Sequence, residues 1–353
     1  MVLNGTLSEH QIDALSYVYM AFLTPSLIGS FSVLVVSICK WWHLQEQVHL
    51  LVQLALADLL AALILMYTSV MNKVYNDHGV EICEYSLPLS LTFYTTSFLL
   101  VVVYAWKSKN GIQGWRERAT DDEAVQSHCR RKIVAFPVYA VVWLIPLAMY
   151  LAYVLTPFMK SALLVPATDK SLVQDSIDNE RTYCSSCLLF LHVWKDSCSG
   201  PEEFHDTFIR VFLFVVVIPV MIFCSVIYYK VGKWYERHEQ VGFFPVEGDG
   251  RSRRRFKTVY STARKMVMVI LACWTPALVL ILLSTLTIWT SIKQRDLFFL
   301  YILQAACVSI QGFANSMVYA WRRPNFTDAV LGEYTPLIQN PLPFFDESLR
   351  ASS

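Results

Sequence analysis

The chain has 353 residues, 55% hydrophobic and only 16% charged, against about 25% charged in an ordinary soluble domain. Its 29 basic and 28 acidic residues leave a net charge of +1, so no bulk field points to nucleic acid or to a strongly charged substrate. Nothing in the composition marks off a separate soluble domain, an internal repeat or a low-complexity tract.

Residues 1–14 lack the basic region, short apolar core and small-residue cleavage site of a signal peptide. The first span is therefore expected to act as an uncleaved anchor. Apolar runs of about 20–25 residues lie near 15–39, 48–72, 85–106, 133–155, 207–231, 264–288 and 296–320, each long enough to cross a bilayer as a helix. None alternates as a barrel strand would, and a helix satisfies its own backbone in lipid. The expected fold is an all-α membrane protein, a seven-transmembrane helix bundle over 15–320 with a tail over 321–353. Pro25, Pro88, Pro137, Pro146, Pro219 and Pro276 interrupt these runs; each removes one helical hydrogen bond, a common cause of kinks.

The second run contains Leu54-Ala55-Leu56-Ala57-Asp58-Leu59-Leu60. A carboxylate at bilayer depth costs roughly 2.5–3.5 kcal/mol on insertion scales, so Asp58 should face the bundle interior and have partners. Two roles are open to it. It is a buried acid hydrogen-bonded to hold helices together, or an ion or proton site coupled to a conformational switch.

Orientation follows from the basic residues between spans. The loop 107–132 carries Lys107, Lys109, Arg116, Arg118, Arg130, Arg131 and Lys132, and the loop 232–265 carries Arg251, Arg253, Arg254, Arg255 and Lys257 among others. Arg322 and Arg323 follow the last span. The other loops hold single cations such as Lys73, Lys160 and Lys195. The basic set is expected in the cytoplasm, the N-terminus outside and the C-terminus inside. On that topology the sequon at Asn4 is a glycosylation site and the one at Asn325 is not. Of nine cysteines, Cys83, Cys184, Cys187 and Cys198 fall outside, an even number in an oxidising compartment. Cys83 is expected to bridge to one of the other three, all in the long outer loop between the fourth and fifth spans. A Cys184–Cys187 pair would leave Cys83–Cys198. Within that loop, Leu188-Leu189-Phe190-Leu191 is apolar, too short to span, and suited to fold back as a lid.

Taken together these features resemble the rhodopsin-like receptors coupled to G proteins. The likeness rests on Leu54-Ala55-Leu56-Ala57-Asp58 in the second helix, Cys83 opening the third and Trp143 before Pro146 in the fourth. It continues with Pro219 in the fifth, Cys273-Trp274-Thr275-Pro276 in the sixth and Asn315-Ser316-Met317-Val318-Tyr319 in the seventh, with Ser316 where the family has proline. It covers about residues 15–330. The third-helix Asp-Arg-Tyr signature is missing, since that end reads Tyr104-Ala105-Trp106-Lys107-Ser108-Lys109, and Gly29-Ser30 stands where the first-helix asparagine is expected. Divergent orphan receptors and cyclic-AMP-receptor-like proteins share such losses. The chain also resembles the orphan family named transmembrane protein 116.

Ser97 lies about four helical turns after Cys83, at the depth of Asp58. The resemblance implies that Asp58, Ser97, Trp274 and Asn315, with Gln311 one turn before Asn315, line a small hydrated pocket for a sodium ion. Carboxylate, hydroxyl and amide oxygens are hard donors suited to such a cation, and a cation bound in one state and expelled in the other biases a two-state bundle. The alternative is a water-filled polar network with no ion. The resemblance further casts Trp274, beside Cys273 and Pro276, as a rotamer switch, Pro219 as a helix kink and Tyr319 as a residue that swings on activation. Trp274 is equally read as bulky filler beside a kink, and Tyr319 as an interfacial aromatic.

Ser90 and Ser309 stand where amine receptors and opsins carry an aspartate and a lysine, which argues against an amine ligand and a retinal Schiff base. The outer halves hold Phe93, Tyr94, Thr95, Thr96, Tyr150, Tyr153 and Phe208. They suit a neutral or apolar ligand, or plain helix packing. At the cytoplasmic face Lys107, Lys109, Arg253, Arg254 and Arg255 are candidates for coupling to a heterotrimeric G protein or arrestin; contact with lipid is the plainer role. Arg322 to Leu331 suits a short amphipathic helix, and Glu333-Tyr334-Thr335-Pro336-Leu337-Ile338 resembles endosomal sorting signals. None of the eight histidines falls near mid-span, so no enzyme and no catalytic residue is expected, and no cofactor beyond the sodium ion. The expected function is a receptor-like protein of the plasma membrane. Alternatives are a receptor-shaped scaffold that does not activate G proteins and, less well supported by a single intramembrane charge, a transporter or ion conductor.

Overall fold

The computed structural model of the protein describes residues 7–39, 46–73, 79–117, 138–155, 187–189, 250–286 and 294–321, short pieces between 211 and 233, and Phe326 and Val330. Among the described residues the structure is helical, with no strand. The helices are α1 (Glu9–Cys39), α2 (Glu46–Met71), α3 (Gly79–Glu117), α4 (Val138–Leu155), α5 (Phe214–Phe223), α6 (Gly250–Leu286), α7 (Phe298–Ser309) and α8 (Gln311–Ser316).

Among the described residues, five stretches are long and apolar enough to cross a bilayer: His10–Cys39, His49–Met71, Tyr85–Tyr104, Val138–Leu155 and Arg264–Leu283. The other two apolar runs are shorter or interrupted helices among the described residues. α5 opens in a π-helical stretch that begins one residue before it, Leu213–Val217. The last run is divided at Ile310 and ends in a second π-helical stretch, Met317–Trp321. α1, α3 and α6 continue through Pro25, Pro88 and Pro276; Pro137 lies outside the described residues.

Helix ends follow hydrogen bonding rather than the apolar boundary, so several helices outrun the stretches read from hydropathy. α1 begins inside the expected tail, where the Ser8 amide donates to Gln11 Oε1 at 3.0 Å, half of a capping box. α3 and α6 have 39 and 37 residues, or about 58 and 55 Å at 1.5 Å per residue. Both exceed a hydrocarbon core of about 30 Å. Most of the excess is the polar end of α3 after Tyr104 and the basic beginning of α6 before Arg264.

α2 packs between α1 and α3, and α8 packs against α1, α2 and α6. Ala57 and Ala61, one turn apart on α2, are fully buried; such small residues let helix backbones approach in lipid. Ile28, Phe31, Leu144, Leu155 and Phe299 are each more than half exposed, as expected of side chains that face acyl chains rather than water.

The end of the bundle where α2 finishes is pinned by polar contacts. Lys73 Nζ lies 3.0 Å from the centre of the Tyr17 ring and 3.9 Å from Asp13 Oδ1. Asn72 Nδ2 donates to Ser16 Oγ at 2.8 Å. Cys83 at the start of α3 is joined to Cys187 by a disulfide. That excludes the arrangement of Cys184–Cys187 with Cys83–Cys198, because Cys187 is already used; Cys184 and Cys198 lie outside the described residues.

Candidate functional site

Hydroxyls on a helix in an apolar setting usually satisfy themselves on the carbonyl one turn back. α3 shows this repeatedly. Ser90 donates to the Leu87 carbonyl, Thr92 to Pro88, Thr95 to Leu91 and Thr96 to Thr92. The protons of the hydroxyls expected there to suit a ligand or helix packing are therefore used within α3. Ser97 is different: its Oγ donates to Asp58 Oδ1 at 2.7 Å. From the other side Asn315 Nδ2 of α8 donates to Asp58 Oδ2 at 2.8 Å. Asp58 is 2% exposed, so one carboxylate ties α2, α3 and α8 together out of reach of bulk water.

A second pair sits beside it. Trp274 Nε1 of α6 donates to Gln311 Oε1. The indole meets Tyr94 and Phe98 of α3 edge-on, with centroids 5.4 and 5.0 Å apart, a favoured aromatic geometry. Gln311 also lies within reach of Asp58, but its Nε2 makes no hydrogen bond of ordinary geometry. Asn315 Oδ1 is likewise buried without a partner among the described residues. The structure thus brings Asp58, Ser97, Trp274, Gln311 and Asn315 into one polar core spanning four helices. Two polar atoms in it are still unpaired, and such atoms in a buried setting call for water or an ion.

The remaining candidates are scattered. Cys273 is buried beside Trp274 and forms no disulfide. Pro276 is half-buried in α6, and Pro219 is exposed on α5. Tyr319 lies in the π-helical stretch, but its side chain is outside the described residues. So are the side chains of Lys107 and Lys109 on α3 and of Arg253, Arg254 and Arg255 on α6. Asn4 is also outside them. Among the described residues no group of three or more His, Cys, Asp or Glu is arranged to hold a metal.

Sequence reasoning missed a second polar knot. Tyr19 Oη of α1 donates to the Leu189 carbonyl at 2.9 Å and accepts from Gln304 Nε2 of α7 at 3.0 Å. Leu188 and Leu189 are 2% and 1% exposed. The apolar lid expected at 188–191 is thus, over its first two residues, buried in the bundle. A signal for it existed: Gln304 is an amide in a predominantly apolar run, and it is buried.

A chain whose described residues are helical, with five membrane-length apolar helices among them and a carboxylate enclosed between helices, is a multi-pass membrane protein. No curated protein matches the chain. Over residues 12–335 it matches the family model described as Transmembrane protein 116, and it belongs to that family.

Proposed function

We propose that the protein is a receptor-like seven-helix membrane protein of the plasma membrane. In this reading α5 and the run α7–α8 complete the seven crossings. A neutral or apolar ligand, from outside or from the membrane, shifts a helix-bundle equilibrium read at the cytoplasmic ends of α3 and α6 by a G protein or arrestin. The observation that carries the reading is the Asp58 carboxylate held by Ser97 of α3 and Asn315 of α8. One charged group contacts elements whose relative movement a switch would use.

The same core fits a sodium ion. Asp58, Ser97 Oγ and the unpaired Asn315 Oδ1 would hold it, and the ion would add positive charge opposite a buried carboxylate. The test is thermal unfolding of the purified protein in sodium against choline chloride. Sodium should raise the midpoint of the wild type and not of Asp58→Asn. Equal sodium dependence in both, or none in either, leaves a hydrogen-bonded network without an ion.

A second reading, a receptor-shaped scaffold without G-protein activation, is favoured by one feature. The inner end of α3 reads Tyr104-Ala105-Trp106-Lys107-Ser108-Lys109 with no arginine, and a lysine lacks the planar bidentate fork of a guanidinium. Ligand-independent second-messenger output of wild type, Trp274 and Lys107/Lys109 variants separates the two. Output altered by those substitutions supports the receptor; silence with every class of G protein supports the scaffold.

A further inference from the structure

The last apolar run is broken at Ile310 although it contains no proline. α7 ends at Ser309, Ile310 forms a turn, and α8 starts at Gln311. In a continuous helix the Phe313 amide donates to the carbonyl four residues back, that of Ser309. Here it donates to Ser26 Oγ of α1 at 3.2 Å, and Ser26 Oγ donates to the Ser309 carbonyl at 2.5 Å. On either side of the break, the Ile310 amide donates to the Ala306 carbonyl and the Ala314 amide to the Ile310 carbonyl, both at 3.0 Å. A single hydroxyl from another helix therefore occupies one rung of the ladder, and an inserted side chain is a recognised cause of a kink.

The seam is cut to admit it. Ser26 is fully buried. A Cβ on Gly312 would stand 2.9 Å from Ser30 Oγ and 3.3 Å from Ser26 Cβ, and one on Gly29 would stand 3.3 Å from Ser316. Glycine at both positions lets α1 and α8 close to within reach of that hydroxyl.

We propose that Ser26 is a positioning residue for the polar core: wedged between the Ser309 carbonyl and the Phe313 amide, it sets the angle at which α8 presents Gln311 to Trp274 and Asn315 to Asp58. Without the hydroxyl, a buried donor and acceptor are left to find each other. Closing that rung restores the ordinary helical bond and turns the residues after Phe313 relative to α7, drawing Asn315 off Asp58. The inference concerns the geometry of the core whatever message the core carries, so its test needs no signalling readout.

The test is a double-mutant cycle on the purified full chain, read as thermal midpoints of wild type, Ser26→Ala, Asn315→Ala and the double variant. Ser26 does not hydrogen-bond Asn315 or Asp58 (its partners are Ser309 and Phe313), so a purely local role predicts additive shifts. Positioning predicts that the Asn315→Ala drop shrinks to less than about half its wild-type size once Ser26 is alanine. An undiminished drop overturns the proposal. If Ser26→Ala does not fold, Ser26→Cys, slightly larger and a weaker donor, is read in the same cycle, with a partial reduction expected and full additivity decisive against. Gly312→Ala keeps the Ser26 hydroxyl in the chain but presses on Ser30 and Ser26 and so displaces α8; it should also shrink the Asn315→Ala drop, and full additivity there counts equally against the positioning role.

Discussion

At the scale of single residues, Asp58 dominates because each of its partners comes from a different helix. Interhelical hydrogen bonds in membrane proteins average about 0.6 kcal/mol and reach about 1.7, so Ser97→Ala should cost on the order of 1 kcal/mol by unfolding of the purified protein. Asp58→Ala should cost more than Ser97→Ala, because it strands both the Ser97 hydroxyl and the Asn315 amide in a dry interior. Equal costs would mean that Asp58 is not the hub. Gly312→Ala tests the seam rather than the hub. Its new Cβ would press on Ser30 and Ser26, and overpacking of this kind costs about 1–3 kcal/mol. Asp58 was legible in the sequence as a carboxylate within an apolar run; Ser97 and Asn315 were joined to it by the family resemblance, with helical register giving the depth of Ser97. Ser26 was not legible. A serine in such a run ordinarily bonds the carbonyl one turn back, as Ser69 and Ser316 do here, and nothing in the sequence marks the one that reaches across to another helix.

At the scale of elements, sequence and structure part over where helices break. Prolines were the only visible signal, yet α1, α3 and α6 run through theirs. The clear interruption, at Ile310, comes from a neighbour's side chain. Breaks of that kind depend on packing, which hydropathy does not encode. The same holds for the lid: its apolar character was visible, but its attachment to Tyr19 and Gln304 was not. That attachment has two parts of unequal strength. The Cys83–Cys187 bridge spans 104 residues, and in the chain-entropy account closing a loop of that length is worth roughly 4–5 kcal/mol. The Tyr19 hydroxyl contributes about 1 kcal/mol by the usual hydrogen-bond measure. Cys187→Ser should therefore lower the unfolding midpoint several times further than Tyr19→Phe does. Reductant should lower the midpoint of the wild type by more than that of Cys187→Ser. A reductant effect of the same size in both would place the dependence in other cysteines.

At the scale of the whole molecule, three separate physical arguments bear on which end faces out. A disulfide persists in an oxidising compartment, which supports the reading that places the Cys83 end of α3 on the outer side. Tyr19 near the start of α1 bonds the Leu189 carbonyl, two residues from the bridged Cys187, which puts the N-terminal part of α1 at that same end. Lys107, Lys109 and Arg116 then fall at the opposite end of α3. That is where the positive-inside rule, which takes no account of disulfides, also places them together with Arg251, Arg253, Arg254, Arg255 and Lys257 at the start of α6. The agreement yields a prediction at each terminus. In cells the chain should carry glycan on Asn4, removable by glycosidase and lost in Asn4→Gln, while Asn325→Gln should leave the mobility shift unchanged. Glycan on Asn325 instead would turn the bundle over. The basic ends of α3 and α6 would then lie outside, the Cys83–Cys187 bridge would face a reducing cytosol, and the receptor reading would fail along with the topology, since its coupling surface would be on the wrong side of the membrane.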